Sequence, residues 1–306
     1  MKNLLNNEPS LRFDPLSDYL FIKVMGKKGD EKQLLGFLNA VLGRSGKDQI
    51  KSVEILENKA FPKDVSTGKS CILDVLAVLQ DGTRVNIEVQ LRNEYNMDRR
   101  SLFYWSKVYS ESLDEGQNYG ELPNVIAINI VDFNFPPGGG MHTCFHLRED
   151  SDPSLVLTAL EIHFISMVQW RKLKGRDVKN DSLHRWLTLL DKNSPPEQIK
   201  EAVSMDGAVA EAYRRLEEAK RDQEEYRAYW AHRKFEHDRI SELDGVRNES
   251  LAQGREQGII EGIEQGIEQG IEQGALEIAR KLKARGRPLE EIADDTGLSP
   301  EAIEML

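Results

Sequence analysis

The chain has 306 residues, with 52 acidic and 41 basic side chains and a formal net charge of −11. This charge argues against nucleic acid wrapped over the whole surface, although a local basic groove needs only a few Lys and Arg side chains. No apolar run approaches the roughly 20 residues of a membrane span, and residues 1–10 lack the apolar core of a secretory signal. Cys71 and Cys144 lie in apolar, strand-like sequence and are expected to be buried free thiols. We therefore expect a cytoplasmic protein that does not enter a membrane.

The first half of the chain predicts a mixed α/β fold. Two amphipathic helices are expected within residues 11–43, and a longer one begins at Met97. Strands are expected at residues 50–56, in a hairpin at 70–92, and at 124–133, 143–147 and 160–164. The resulting order of two helices, three strands, one helix and three strands indicates a mixed central sheet flanked by helices.

The second half predicts a long helical C-terminal extension. We divide the chain into a core at 1–175, a helical arm at 176–250, a glycine-repeat hinge at 251–274 and a small helical tail at 275–306. The arm is rich in charged residues and is expected to be largely solvated, with a dimerising helix as the alternative. The hinge holds the repeat GIIEGIEQGIEQGIEQG, whose glycines make an isolated helix marginal. It is interpreted either as a segment that becomes helical on self-association or as a length-variable linker.

The tail is predicted to consist of a basic helix that ends at Gly286, a helix from Pro288 to Gly297 and a last short helix capped by Ser299. The last two helices, joined by TGLS, are similar to a helix-turn-helix. The basic helix before them holds the densest basic segment of the chain, with Arg280, Lys281 and Lys283 among its residues. These side chains are candidate phosphate contacts, and a solvated basic helix end is the open alternative.

The hairpin at residues 70–92 carries three polar residues where apolar ones would pack better. Asp74 lies on the first strand, and Glu88 and Gln90 lie on one face of the second. Aspartate is a poor strand former, and a buried carboxylate is costly unless it is paired, hydrogen-bonded or bound to a metal. Because Mg²⁺ prefers one or two carboxylates together with waters and substrate oxygens, the pattern predicts a metal site for phosphodiester cleavage. Gln90 would orient the water.

The turn between these strands decides whether one metal can be shared. A strict two-residue turn at Asp81 and Gly82 would pair residue 75 with residue 88 and put Asp74 and Glu88 on opposite faces of the sheet. For both acids to bind one ion, the hairpin needs a three- or five-residue loop or a bulge near Gly82. We predict that irregularity.

The arrangement resembles the PD-(D/E)XK nuclease superfamily, in which an Asp on one strand and a Glu-x-Lys on the next hold the metal. Asp74 matches the Asp and Glu88 the Glu, whereas Gln90 stands where Lys is usual. Four further segments resemble the Rpn family of recombination-promoting nucleases, also described as putative transposases. They are DYLFIK from Asp18, DRRSLFYWSKVYSESLDEGQNY from Asp98, LEIHFI at 160–165 and the glycine-repeat tail. The run SMVQW that follows LEIHFI departs from the Glu-Leu-x-Lys-Phe-like run expected there.

The resemblance implies a restriction-endonuclease-like core and a bacterial, Mg²⁺-dependent DNA endonuclease linked to mobile elements, recombination or phage defence. Mn²⁺ and Ca²⁺ are alternative ions. Asp74 and Glu88 would be the metal ligands. Because Gln90 lacks the positive charge of Lys, Lys23 is a candidate replacement, and Asp18 is a candidate extra carboxylate. Both also suit ordinary positions on a solvated helix.

Three residues of the helix after the hairpin are candidate substrate contacts. Arg99 and Arg100 would bind phosphate or support the site, with ion pairs to Asp98 and Glu94 as the alternative. Tyr104 would hydrogen-bond near the site or pack in the core.

Two other functions stay open. One is a catalytically silent DNA-binding or regulatory protein that keeps the fold without the lysine. The other is an oligomeric interaction or defence component controlled by its repeat tail, and a homo-oligomer is expected. His142 and His146 stand four residues apart in strand-like sequence, so no zinc site is expected.

Overall fold

The computed structural model describes residues 13–56 and 74–306. The predicted hairpin at 70–92 therefore begins outside the described residues, and Cys71 lies outside them as well. The described strands are β1 (Val53–Ile55), β2 (Val75–Leu79), β3 (Arg84–Gln90), β4 (Val125–Val131), β5 (His142–Arg148) and β6 (Val156–Ser166). The described helices are α1 (Asp18–Met25), α2 (Lys32–Val41), α3 (Met97–Ser110), α4 (Met167–Lys172), α5 (Ser182–Leu190), α6 (Pro196–Met205), α7 (Gly207–Arg221), α8 (Gln223–Ala284), α9 (Leu289–Thr296) and α10 (Pro300–Glu304). The predicted order of helices and strands is confirmed.

The six strands form one mixed sheet in the order β1-β2-β3-β4-β6-β5. β3, β4 and β6 run parallel, whereas the β1–β2, β2–β3 and β5–β6 pairs are antiparallel. β4 is buried at every position, which explains its uninterrupted apolar sequence. Because α3 makes the crossover from β3 to β4, the carboxyl ends of these two strands meet at one edge of the sheet.

Helices cover both faces of the sheet. On one face, α1, α2, α5 and α7 pack on the strands in the main apolar core, where Phe37 and Trp186 meet edge to face at 5.6 Å. On the other face, α3 packs through Met97 and Trp105, and the Trp105 indole donates to the Val125 carbonyl at 2.9 Å. The predicted mixed sheet flanked by helices is therefore confirmed.

Helix α7 belongs to this core, although its composition predicted a largely solvated arm. Val209, Ala212 and Leu216 are buried in the main core. Arg215 is also buried and donates to the Val24 carbonyl at 3.2 Å, which ties α7 to the end of α1. The prediction missed this helix because its apolar stripe is narrow and consists mostly of small residues among charged ones.

The structure divides the chain into two compact units, residues 1–232 and 233–306. The four-part functional division at 175, 250 and 274 stays a prediction. The glycine repeat, expected to be a hinge or linker, lies within the continuous helix α8, and its isoleucines are exposed. Within the described residues, no helix combines the length and apolar character that a membrane span requires.

The C-terminal tail forms a small core of its own. Ala279 at the end of α8 packs with Ile292 of α9 and Ile303 of α10, and all three are fully buried. Gly297 ends α9 in the left-handed conformation with φ of 71°, and Ser299 caps α10.

Candidate active site

The β2–β3 hairpin has the irregular turn that a shared site requires. Val75 pairs with Ile87, and Val78 pairs with Arg84. The Leu79 N–H donates to the Thr83 carbonyl at 2.9 Å, and the Gly82 N–H donates to the Leu79 carbonyl at 3.0 Å, so the loop consists of residues 80–82. Gly82 has φ of 85°, the left-handed conformation that closes a three-residue hairpin loop. The predicted irregularity is confirmed.

This register puts Asp74 and Glu88 on the same face of adjacent strands. One step beyond the Val75–Ile87 pair, Asp74 lies opposite Glu88, and its Oδ2 accepts the Val89 N–H at 2.7 Å. The Glu88 side chain is 4% exposed and accepts hydrogen bonds from the Asp74 N–H and the Asn86 amide. A half-buried Asp74 and a buried Glu88 thus lie side by side near the carboxyl end of β3.

The two acids repel each other and are poorly solvated. Burial raises the pKa of Asp74 to about 7, helped by the negative charge of Asp18 and opposed by the Val89 N–H and by Arg100. Burial also raises the pKa of Glu88 well above its ordinary value, together with the charge of Asp74. Among the described residues, the buried Oε1 atom of Glu88 has no hydrogen-bond partner. The raised pKa values of the two acids and the unpartnered Oε1 atom both suit a site that binds a cation.

Helices α1 and α3 bring two more charged residues to this pair. Asp18, the first residue of α1, lies close enough for its charge to raise the pKa of Asp74. Arg100 of α3 opposes the rise in pKa of both acids. Its Nη1 also lies 3.5 Å from Glu94 Oε2, and its guanidinium lies 5.1 Å from the centre of the Tyr104 ring. The Glu94 ion pair, given as one alternative for Arg100, is therefore present, and the charge of Arg100 also acts on the acid pair.

Lys23 is directed elsewhere. Its ammonium group donates to Glu225 at the start of α8, and the Tyr19 hydroxyl donates to the same carboxylate at 2.5 Å. On the neighbouring face of α1, Ile22 lines a groove together with Asp74. The structure thus gives Lys23 a partner outside the acid pair, while the charge of Arg100 acts on both acids.

The remaining predicted residues of the core lie around the pair. Gln90 is half-buried on the same face as Glu88, and its amide donates to the Arg92 carbonyl at 3.1 Å. Arg99 is exposed next to Arg100. Tyr104 is half-buried and packs against the small apolar cluster of Leu76, Val108 and Val125.

The three predicted basic residues of the tail make different contacts. Lys283 donates to the carbonyls of Ile303 and Glu304, each at 2.9 Å, and so caps α10. Lys281 donates to Glu277 at 2.7 Å, one turn earlier on α8, and Arg280 is exposed.

Sequence reasoning missed Asn86. This residue is 1% exposed, shares the face of Glu88 and Gln90, and donates to the Glu88 carboxylate. The alternation of Asn86, Glu88 and Gln90 along one strand was visible in the sequence, because side chains two residues apart point to the same face.

A mixed sheet with a buried Asp–Glu pair on the strands of one hairpin, flanked by helices on both faces, defines a core of the PD-(D/E)XK nuclease type. In agreement, residues 15–246 match the family model described as PD-(D/E)XK nuclease family transposase, and the chain belongs to this family. The predicted family is confirmed. No curated protein and no solved structure matches the chain.

Proposed function

We propose that the protein is a Mg²⁺-dependent DNA endonuclease. The observation that carries this proposal is the cross-strand position of Asp74 and Glu88, two poorly solvated carboxylates on one face of the sheet. Membership in a nuclease family of transposases supports DNA as the substrate. It also supports a role linked to mobile elements, and we propose recombination or phage defence as the setting of that role.

The donor set fits a hard divalent cation. Asp74 and Glu88 would hold it, and the unpartnered Oε1 of Glu88 is a ready oxygen ligand. Mn²⁺ and Ca²⁺ would be accepted by the same oxygens. When bound, such an ion polarises a phosphoryl oxygen and lowers the pKa of a coordinated water. Gln90 lies two residues beyond Glu88 and, after rotation away from the Arg92 carbonyl, would orient the attacking water with its amide.

We infer that Arg100 supplies the positive charge that lysine supplies in a Glu-x-Lys motif. Its charge acts on both acids, and a guanidinium suits a phosphate oxygen pair better than an ammonium does. Arg99 and Tyr104 would extend the substrate-binding surface along α3, and Asp18 would add a carboxylate from α1. The pairing of Lys23 with Glu225 argues for a structural role of Lys23.

The tail would add DNA contacts of its own. Arg280 and Lys281 are exposed on the last turns of α8 and are candidates for phosphate contacts. The use of Lys283 as a cap of α10 argues that it serves the folding of the tail first.

Cleavage of supercoiled plasmid with and without Mg²⁺ tests the proposal. We expect Glu88→Gln and Asp74→Ala to lose at least about 100-fold in rate, the scale of losing one preorganised electrostatic group. Glu54→Gln is the matched control, because Glu54 is an exposed acid on β1 of the same sheet. Equal activity of wild type and Asp74→Ala would refute the nuclease proposal.

A catalytically silent DNA-binding protein is the second candidate, and Gln90 is the observation that favours it. Without a lysine in the motif, the acid pair would still bind an ion and the protein would still bind DNA, but the phosphodiester bond would not be cleaved. Retained Mg²⁺-dependent DNA binding by a wild-type chain that does not cleave would select this candidate.

We also propose that the chain forms a homo-oligomer through α8. The observation behind this proposal is the exposure of the repeat isoleucines, including Ile263 at 57%, Ile267 at 59% and Ile271 at 69%. A four-residue period drifts by only about 40° per repeat around a helix, so these side chains form one slowly winding apolar stripe. An exposed apolar stripe of this kind is typical of a helix that packs on another helix.

A further inference from the structure

A second group of ligand-type side chains lies on β5 and β6, at the other edge of the sheet from the hairpin. The register pairs Cys144 with His163 and His146 with Glu161. Because alternate residues of a strand point to the same face, His142 shares that face with Cys144 and His146. Five thiol, imidazole and carboxylate groups thus face one side of an edge strand pair.

Three of these groups are spaced as ligands of one ion. Donor atoms of Cys144, His146 and Glu161 all lie within 4.8 Å of one another. The Cys144 Sγ and His146 Nδ1 atoms are 3.7 Å apart. Tetrahedral zinc, with Zn–S of about 2.3 Å and Zn–N of about 2.0 Å, holds sulfur and nitrogen about 3.5 Å apart. The observed separation already matches that geometry.

Two histidines hold the carboxylate of this group. His163, which is 4% exposed, has its Nε2 2.6 Å from Glu161 Oε1, and its Nδ1 lies 2.9 Å from His142 Nε2. The other oxygen, Glu161 Oε2, lies 3.6 Å from His146 Nε2. One Glu161 oxygen is thus held by a buried histidine, and the other faces His146, a second candidate ligand. A metal-binding carboxylate commonly has such a hydrogen-bonded support.

We propose that Cys144, His146 and Glu161 bind a Zn²⁺ ion, with water at the fourth position and His163 and His142 as positioning residues. Thiolate and imidazole select zinc-type ions, whereas the all-carboxylate pair Asp74–Glu88 selects Mg²⁺-type ions. The two sites would therefore take different metals. The ion would fasten edge strand β5 to β6 directly before the irregularity between His146 and Leu147.

The sequence predicted no zinc site here, for two reasons. His142 and His146 are about 13 Å apart along a strand, which rules out one shared ion, but the β5–β6 register supplies Glu161 instead. Cys144, expected to be a buried thiol, is exposed on the edge strand and is reachable by an ion.

Titration of the metal-free full chain with Co²⁺ tests the proposal, because tetrahedral cobalt absorbs in the visible and a thiolate ligand adds a charge-transfer band. We expect one equivalent of Co²⁺ to give both features and Zn²⁺ to remove them. Cys144→Ser should lose the thiolate band, and His146→Gln should lose the tetrahedral spectrum. His163→Gln should keep the bands and bind about 10–100-fold more weakly, as expected for a supporting residue.

Two variants serve as controls, with circular dichroism to verify folding of each. Cys71→Ser removes the other cysteine and should keep the thiolate band. Asp74→Asn alters the proposed Mg²⁺ site and should keep the whole spectrum. A folded wild-type chain without tetrahedral bands, or a thiolate band that survives Cys144→Ser, would overturn the proposal.

Discussion

Protonation of Asp74 affects both stability and metal binding. Its pKa rises from 3.8 to about 7 in the folded chain, because burial and the charge of Asp18 disfavour the ionised form. The folded state therefore holds this proton more tightly than the unfolded state. The stabilisation is complete at low pH and is lost as pH rises through about 7. The affinity for a metal ion should instead rise with pH, because metal binding needs the ionised carboxylate.

Asp74→Asn should stabilise the metal-free chain more at pH 8 than at pH 5, because the folded state still holds the Asp74 proton at pH 5. Asparagine keeps an acceptor for the Val89 N–H and removes a buried charge, so we expect the free energy of unfolding at pH 8 to rise by on the order of 1–3 kcal/mol. Urea denaturation at the two pH values measures this difference. Glu54→Gln should show no such pH dependence, and equal destabilisation by Asp74→Asn at both pH values would contradict the expected pKa shift.

Arg100→Gln should raise the pKa values of the acid pair further, since the Arg100 charge opposes the rise in both. Carbon-detected NMR titration of the side-chain carboxyls of the metal-free chain measures the apparent pKa values of the pair. Arg99→Gln is the matched control, because it removes the same charge from an exposed neighbouring position. If the two variants shift the pair equally, Arg100 has no special relation to the site.

At the scale of helices and strands, the β2–β3 turn sets the register that puts Asp74 and Glu88 on one face of the sheet. Gly82 determines the conformation of that turn. Gly82 has a positive φ of 85°, so Gly82→Ala should cost about 1–2 kcal/mol of stability from left-handed strain. Gly82→Asn should cost less, because asparagine tolerates this conformation. Denaturant unfolding of both variants checks the order of the two costs, and an Ala variant as stable as the Asn variant would contradict the assigned turn.

The hydrophobic periodicity of the sequence and its turn-forming residues predicted most of the helices and strands, as well as the pair of Asp74 and Glu88. The uninterrupted apolar run of β4 and the alternation of β3 follow from which faces are buried, and Asp74 with Glu88 stood out as acids in apolar strands. Residues that arrive from other elements were harder to assign. Only the packing of α3 showed that Arg100, and not Lys23, acts on the acid pair. Only the pairing of β5 with β6 showed that Cys144 lies near Glu161. These contacts depend on tertiary distances that no local pattern encodes.

On the scale of the whole molecule, the repeat in α8 should control the assembly state. Replacing Ile263, Ile267 and Ile271 together by Gln removes the apolar stripe while keeping residues that favour helix. We expect the mass measured by light scattering to fall to that of the monomer. Gln replacement of Glu264, Glu268 and Glu272 is the matched control on the same turns and should keep the oligomer. A wild-type chain that is already monomeric would contradict the proposed assembly.

The three-residue loop also has a consequence for how the chain folds. Asp74 and Glu88 are 14 residues apart, whereas Asp18 precedes Asp74 by 56 residues. Each doubling of loop length adds about 0.6 kcal/mol to the entropic cost of closure, so bringing Asp18 to the hairpin costs about 1.2 kcal/mol more than closing the hairpin itself. We therefore expect the two acids to meet when the hairpin closes, before α1 arrives. A divalent ion present during refolding would favour this pairing over the slipped two-residue turn, in which the carboxylates lie on opposite faces.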